Sequence, residues 1–259
     1  MEAALRVSRR QSLTRFALAG TIPWSALAAR RKPPPAIRLV VLDVGGTIIE
    51  DRGDVPEALR SAMAHHGIRS SREEIGRWRG ASKREIVRHF VDQQLPPPKV
   101  DRDKLIASIY DEFTANLIEV YRSVPPIAGA EEAIRRLRAS GYLVATTTGF
   151  DRAITTSIFR RLGWEGNFAA SICSEDVAQG RPSPFMLFHA MESARVNSVA
   201  EVVAVGDTPL DLQAGHNAGL RAVVGVLSGA STAENLRKEP HTHILPSVAH
   251  LPAFLASKL

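Results

Sequence analysis

The feature that most constrains the fold is the stretch Ile37-Arg38-Leu39-Val40-Val41-Leu42-Asp43-Val44-Gly45-Gly46-Thr47. A short run of branched apolar residues closed by glycines has the pattern of a strand buried on both faces, and such strands belong to parallel sheets. Ligands of parallel sheets sit beyond the carboxyl ends of the strands, which aims Asp43 into a site. A carboxylate there can act as a nucleophile or hold a hard cation, and the glycines let backbone N–H groups approach an anion. Many strand ends carry an aspartate, so its partners must come from elsewhere in the chain.

After Thr47 the period changes. Val55 to His66, Arg72 to Asp92 and Arg102 to Tyr121 space their apolar residues three and four apart, and no strand-like run interrupts them. Gly67, Pro96-Pro97-Pro98 and Pro125-Pro126 punctuate this block. From Ile127 strands and helices alternate. The strands are Tyr142–Thr148, Ala169–Cys173, Val202–Val205 and Arg221–Val226; the helices are Ala130–Ser140, Arg152–Leu162, Pro184–Ala194 and Leu210–Ala218; Thr242–Leu245 and Val248–Leu255 close the chain. This alternation predicts an α/β fold, a parallel sheet with helices on both faces. The expected organisation is a core of residues 36–50 and 126–259, with an all-helical insertion at 51–125.

The 259 residues suffice for one good core and a smaller module. A formal charge of +6 suggests nucleic acid until its position is considered. Residues 1–32 hold seven basic side chains against one acid, so of the 33 basic and 27 acidic residues 26 of each remain beyond Lys32. The basicity is local, and no nucleic-acid partner is expected. Its setting, Ser8-Arg9-Arg10-Gln11-Ser12-Leu13-Thr14 before a short apolar run ending Ala26-Leu27-Ala28-Ala29, resembles a twin-arginine export signal. Residues 1–35 are therefore expected to be a signal and linker that directs export to the periplasm, without a stable membrane anchor. The alternative is an amphipathic N-terminal helix on a cytoplasmic protein. The single cysteine, Cys173, excludes an intrachain disulfide and a cysteine zinc cluster.

Four strand ends carry polar residues: Asp43, Thr148, the segment Glu175–Arg181, and Gly206-Asp207-Thr208-Pro209-Leu210-Asp211. Carboxylates gathered at one sheet edge suit a hard cation such as Mg²⁺, and Arg181 with the Thr148 hydroxyl suits an oxyanion. Together they suggest phosphoryl transfer, with Asp43 attacking. Asp211 serves equally as support for a cation or as a cap of the following helix.

Asp43-Val44-Gly45-Gly46-Thr47, Thr148-Gly149, Gly180-Arg181-Pro182, Gly206-Asp207-Thr208-x-x-Asp211 and Ala214-Gly215-x-Asn217-Ala218-Gly219 resemble, in order and spacing, the haloacid dehalogenase superfamily. The resemblance implies a Rossmann-like core, a helical cap inserted after the first strand, and an aspartyl-phosphate on Asp43. It further implies Mg²⁺ held by Asp43, Gly45, Asp207 and Asp211, with substrate held by Gly46, Thr148, Gly149 and Arg181. Gly45 stands where most phosphatases of the superfamily carry a second, proton-donating aspartate, and Arg181 where most carry lysine. Both changes resemble the phosphonoacetaldehyde hydrolase (phosphonatase) branch, whose cap lysine forms a Schiff base; Lys83 in Gly80-Ala81-Ser82-Lys83 matches that lysine. Arg79, Ile86 and Phe150 depart from that branch, which carries methionine, histidine and tyrosine there.

The chemistry is self-consistent. An ester's alkoxide leaving group needs a proton that glycine cannot give, whereas a C–P bond needs an electron sink, which an iminium on Lys83 would supply. Neighbouring Arg84 and burial are expected to lower the Lys83 pKa. The expected activity is Mg²⁺-dependent hydrolysis of a small phosphonate. The alternatives are a phosphatase acting on small phosphate esters and a non-catalytic anion binder on the same fold. A lysine at a charged helix start is also commonly just solvated. Whether the chain works alone or as a homodimer is open.

Overall fold

A computed structural model describes residues 36–95 and 101–258. The expected signal and linker, residues 1–35, lie outside the described residues. Six strands form one sheet: β1 (Leu39–Asp43), β2 (Leu143–Thr148), β3 (Ala170–Cys173), β4 (Val202–Gly206), β5 (Ala222–Val226) and β6 (His243–Leu245). They are all parallel, in the order β3-β2-β1-β4-β5-β6. All five residues of β1 are buried, as a central strand covered on both faces requires. The register pairs Asp43 with Thr147, Leu42 with Val205 and Thr148 with Cys173, which brings the carboxyl ends of β1 to β4 to one edge.

Strand periodicity divides the core into two layers. Val40 and Leu42 pack with α5 (Ala130–Ala139), α6 (Arg152–Leu162) and α10 (Leu251–Lys258). Leu39 and Val41 pack with α7 (Phe185–Ser193) and with Ala214 and Ala218 around α8 (Pro209–Asn217). A short helix the sequence pattern does not reveal, α9 (Ala233–Arg237), seats Leu236 against Leu212 and Val223. Five residues are too few to display a 3.6-residue period. No helix among the described residues is long and apolar enough to cross a membrane.

Between β1 and β2, ahead of α5, lie α1 (Asp54–His65), α2 (Arg72–Gly76), α3 (Lys83–Gln94) and α4 (Arg102–Val120). Their apolar faces share an interior of Leu59, Met63, Val87, Phe90, Phe113 and Leu117. Entry and exit of this block lie side by side: Ile49 bridges to Pro126, and Ile127 N donates to Ile48 O at 3.0 Å.

One continuous helix is expected over Arg72–Asp92, and the structure breaks it in two. Residues 77–82 form a turn in which Gly80 takes φ 86°. The turn presses onto the loop after β4, where a β-carbon on Gly80 would stand 2.6 Å from Thr208 Oγ1. A left-handed backbone in so tight a contact suits glycine alone. The break places Ser82 and Lys83 at the start of α3, against the sheet edge.

Candidate active site

Local sequence explains how each group reaches the edge. Asp43 ends β1, and Asp207 follows directly on β4. Thr208 caps α8, accepting from Asp211 N at 3.3 Å, while Asp211 Oδ2 accepts from Thr208 N at 3.0 Å and Thr208 Oγ1 at 2.6 Å. With Pro209 in the first turn, this is a capping box, and it orients the Asp211 carboxylate.

Arg181 ties the strand ends together. Its Nη1 donates to Asp43 Oδ1 at 2.7 Å and stands 2.8 Å from Asp211 Oδ1; its Nη2 donates to Thr147 O at 3.0 Å and Thr147 Oγ1 at 2.8 Å. Glu175 and Asp176, close to Arg181 in sequence, are not its ion-pair partners. Instead Asp176 pairs with Arg152, and Arg181 is buried at the site. Thr147, the anchor of Arg181, was missed because three consecutive threonines look alike in sequence.

Asp43, Asp207 and Asp211 each bring a carboxylate oxygen within 4.8 Å of the others. Burial, opposed by Arg181 and reinforced by Asp211, raises the Asp43 pKa to about 6. Burial, then Asp43 and Asp211, drive Asp207 well above the usual carboxylate range. Asp207 Oδ2 accepts from Ala230 N at 2.7 Å, but its buried Oδ1 has no hydrogen-bond partner among the described residues. An orphaned carboxylate oxygen among like charges fits a hard divalent cation. Both Asp211 oxygens are engaged, by Thr208 and by Arg181, so in its contacts this residue caps α8 and holds the arginine. Arg181 carries the opposite balance: burial opposes its charge, but Asp211 and Asp43 outweigh burial and raise its pKa.

Lys83 is no solvated helix-start lysine. It is 7% exposed, its Nζ donates to Ala81 O at 2.9 Å and lies 5.4 Å from the Phe150 ring centre. Burial lowers its pKa to about 8, with Asp43 opposing and Arg181 assisting. Arg84, expected to assist, lies over the Tyr110 ring at 4.3 Å, and the assisting cation is Arg181. The Thr148 hydroxyl accepts from Phe150 N at 3.1 Å, and Ser228 Oγ donates to Gly46 O at 2.8 Å. A β-carbon on Gly149 would stand 2.6 Å from Ala81 O, so the glycine admits the helical block to the strand end.

Asp43, Gly45, Lys83, Thr148, Gly149, Arg181 and Asp207 all line one small cavity of about 60 Å³. Gly46 and Asp211 are not among the residues that line it. Asp51, Arg79, Trp78, Tyr121 and Phe150 also line it, and none of them is among the site residues expected from sequence. The sequence model of haloacid dehalogenase-like hydrolases matches residues 37–219.

The chain is a haloacid dehalogenase-like hydrolase.

Its curated relatives include phosphonoacetaldehyde hydrolases. That of Bacillus cytotoxicus is 28% identical over 217 residues, covering 78% of this chain and 80% of the relative. That of Latilactobacillus sakei is 29% identical over 209 residues, covering 75% and 77%. Among solved structures, a phosphonoacetaldehyde hydrolase-like protein from Oleispira antarctica superposes with a TM-score of 0.72 at 22% identity, covering 87% of this chain and 96% of the other. The hydrolase fold thus carries a cavity lined by an amine, carboxylates and a guanidinium.

Proposed function

We propose that this hydrolase cleaves the C–P bond of a small phosphonate with a carbonyl group β to phosphorus, such as phosphonoacetaldehyde, through a Schiff base on Lys83. The observation that carries this reading is Lys83 itself, an amine with a pKa near 8, buried in the same cavity as Asp43. The names of the relatives and the glycine at position 45 support it. That position offers no acid to protonate a leaving alkoxide.

The neutral amine of Lys83 adds to the carbonyl and water leaves, forming an iminium. Arg181 turns its guanidinium from Asp43 to the phosphonyl oxygens, and an Asp43 carboxylate oxygen attacks phosphorus. The C–P electron pair passes into the iminium, giving an enamine and an aspartyl-phosphate. The enamine takes a proton on carbon, and water then frees the methyl carbonyl product and Lys83. A second water releases phosphate from Asp43. Net, one water is consumed: its OH goes to phosphorus and its hydrogen to carbon. Asp43, Asp207, the Gly45 carbonyl and Asp211 would hold or support Mg²⁺, which when bound supplies positive charge against the phosphonyl oxygens.

Borohydride reduction in the presence of phosphonoacetaldehyde tests the reading. A covalent adduct on the Lys83 peptide is expected. No adduct, together with phosphate release from an aryl phosphate that survives Lys83→Ala, would make the enzyme a phosphomonoesterase instead.

A further inference from the structure

Two charged residues face the cavity and take no part in the chemistry above: Arg79 and Asp51. Arg79 lies on the turn between α2 and α3, next to Gly80, whose seat against Thr208 holds that turn to the sheet edge. Arg79 Nη1 donates to Asp51 Oδ2, and Asp51 Oδ1 accepts from Gly53 N at 2.8 Å, which fixes the carboxylate from behind. The Arg79 side chain keeps 33% of its surface accessible, against 4% for Arg181. Its guanidinium makes no other hydrogen bond among the described residues, so the remaining N–H groups are unclaimed. An arginine held at one nitrogen by a fixed aspartate still presents a planar edge suited to a second carboxylate.

We infer that the preferred substrate bears a carboxylate on its carbonyl carbon, so that it is a 2-oxo acid with a phosphonate on C3, and that Arg79 binds this carboxylate. The inference rests on the carbonyl-phosphonate reading above and narrows it. Three groups of one compact molecule then meet four side chains of the protein: the phosphonate faces Arg181 and Asp43, the ketone Lys83, and the carboxylate Arg79. The small cavity leaves no room for a long spacer between them. The balance is unchanged: the acid and one water give phosphate and the methyl 2-oxo acid. If Arg79 and Asp51 were only a latch between the turn and the segment after β1, substrate charge would not matter to them.

The test compares kcat/KM for 3-phosphono-2-oxopropanoate and phosphonoacetaldehyde on wild type, Arg79→Met and Arg79→Lys. Wild type is expected to favour the acid, and Arg79→Met to lower the acid-to-aldehyde ratio by about 10- to 100-fold, the weight of one charge-assisted contact. Arg79→Lys should restore part of the ratio. Equal or better use of the aldehyde by wild type, or a ratio that Arg79→Met leaves unchanged, overturns the inference. Wild type also allows a test independent of turnover and of variant folding, the binding of 3-phosphonopropanoate against propylphosphonate. Tighter binding of the dianionic-plus-carboxylate ligand by about tenfold or more supports Arg79 as a carboxylate site, and equal binding removes it. Should neither carbonyl phosphonate react or label Lys83, the Schiff-base reading fails on its own, and the ligand pair still decides Arg79.

Discussion

Gly149 and Lys83 share one narrow space: a β-carbon on Gly149 would stand 2.9 Å from Lys83 Nζ. The end of β2 and the start of α3 thus meet where the candidate amine is buried. Gly149→Ala should force this seam apart, at a cost of roughly 1–3 kcal/mol. Borohydride trapping on Lys83 should fall by about tenfold or more for the same displacement. Thermal unfolding and the labelled fraction of the Lys83 peptide measure both effects; wild-type values in the alanine variant would contradict the geometry.

Only the neutral amine of Lys83 adds to a carbonyl. With a pKa near 8, about one lysine in a hundred is neutral at pH 6 and most are at pH 9. Single-turnover adduct formation should therefore climb with pH up to about 8 and level off above it. A flat profile between pH 6 and 9 would remove Lys83 as the attacking group.

The carboxylates make cation binding depend on pH. Burial favours the protonated Asp43, whose pKa rises from 3.8 to about 6. Stability from this group is thus full below pH 3.8 and is lost as pH rises through about 6; Asp207 shifts in the same direction. A divalent cation binds the ionised form and offsets that loss. Mg²⁺ at a hundredfold excess over its Kd at pH 7.5 should stabilise the protein there by about 2.7 kcal/mol, and the same Mg²⁺ should raise the melting temperature less at pH 5. Equal shifts at the two pH values would speak against binding at these carboxylates.

Arg181 is the only cation that directly contacts both Asp43 and Asp211 among the described residues. Arg181→Met leaves both carboxylates buried without it and should cost about 3–5 kcal/mol in metal-free protein. Asp43→Asn keeps an oxygen for Arg181, so the fold should survive while phosphate release falls by about a thousandfold or more. Denaturant melts alongside phosphate-release assays separate the two variants. Similar stability for both would show that Arg181 is not required by the carboxylates.

Thr208→Ala removes one half of the α8 capping box and should lower stability by about 1 kcal/mol. Asp211→Asn preserves an oxygen for Thr208 but weakens the hold on Arg181. It should therefore reduce phosphate release more than Thr208→Ala does, relative to its effect on melting. The reverse order would restrict Asp211 to capping.

Much of the frame was legible because it is local. Period-two and period-3.6 patterns located the strands and the longer helices, and strand ends in a parallel sheet must share an edge. Asp43 and Asp207 were thereby placed together across more than a hundred and sixty residues. The break at residues 77–82 was not legible, since the apolar spacing of Arg72–Asp92 continues across it and Gly80 is seated by a distant loop. Asp51 and Tyr121 escaped for a related reason: each reads locally as a solvated charge or a helix-end aromatic.

By itself, then, the sequence determined the α/β class, the family, and the chemistry available at each strand end, all of which follow from residues near one another in the chain. Tertiary structure alone decided the state of those groups. Lys83 loses its water because the helical block closes over β2, and Arg181 reaches Asp43 across 138 positions. Burial and charge proximity set a side chain's pKa and reactivity, and both depend on which distant segments fold against it.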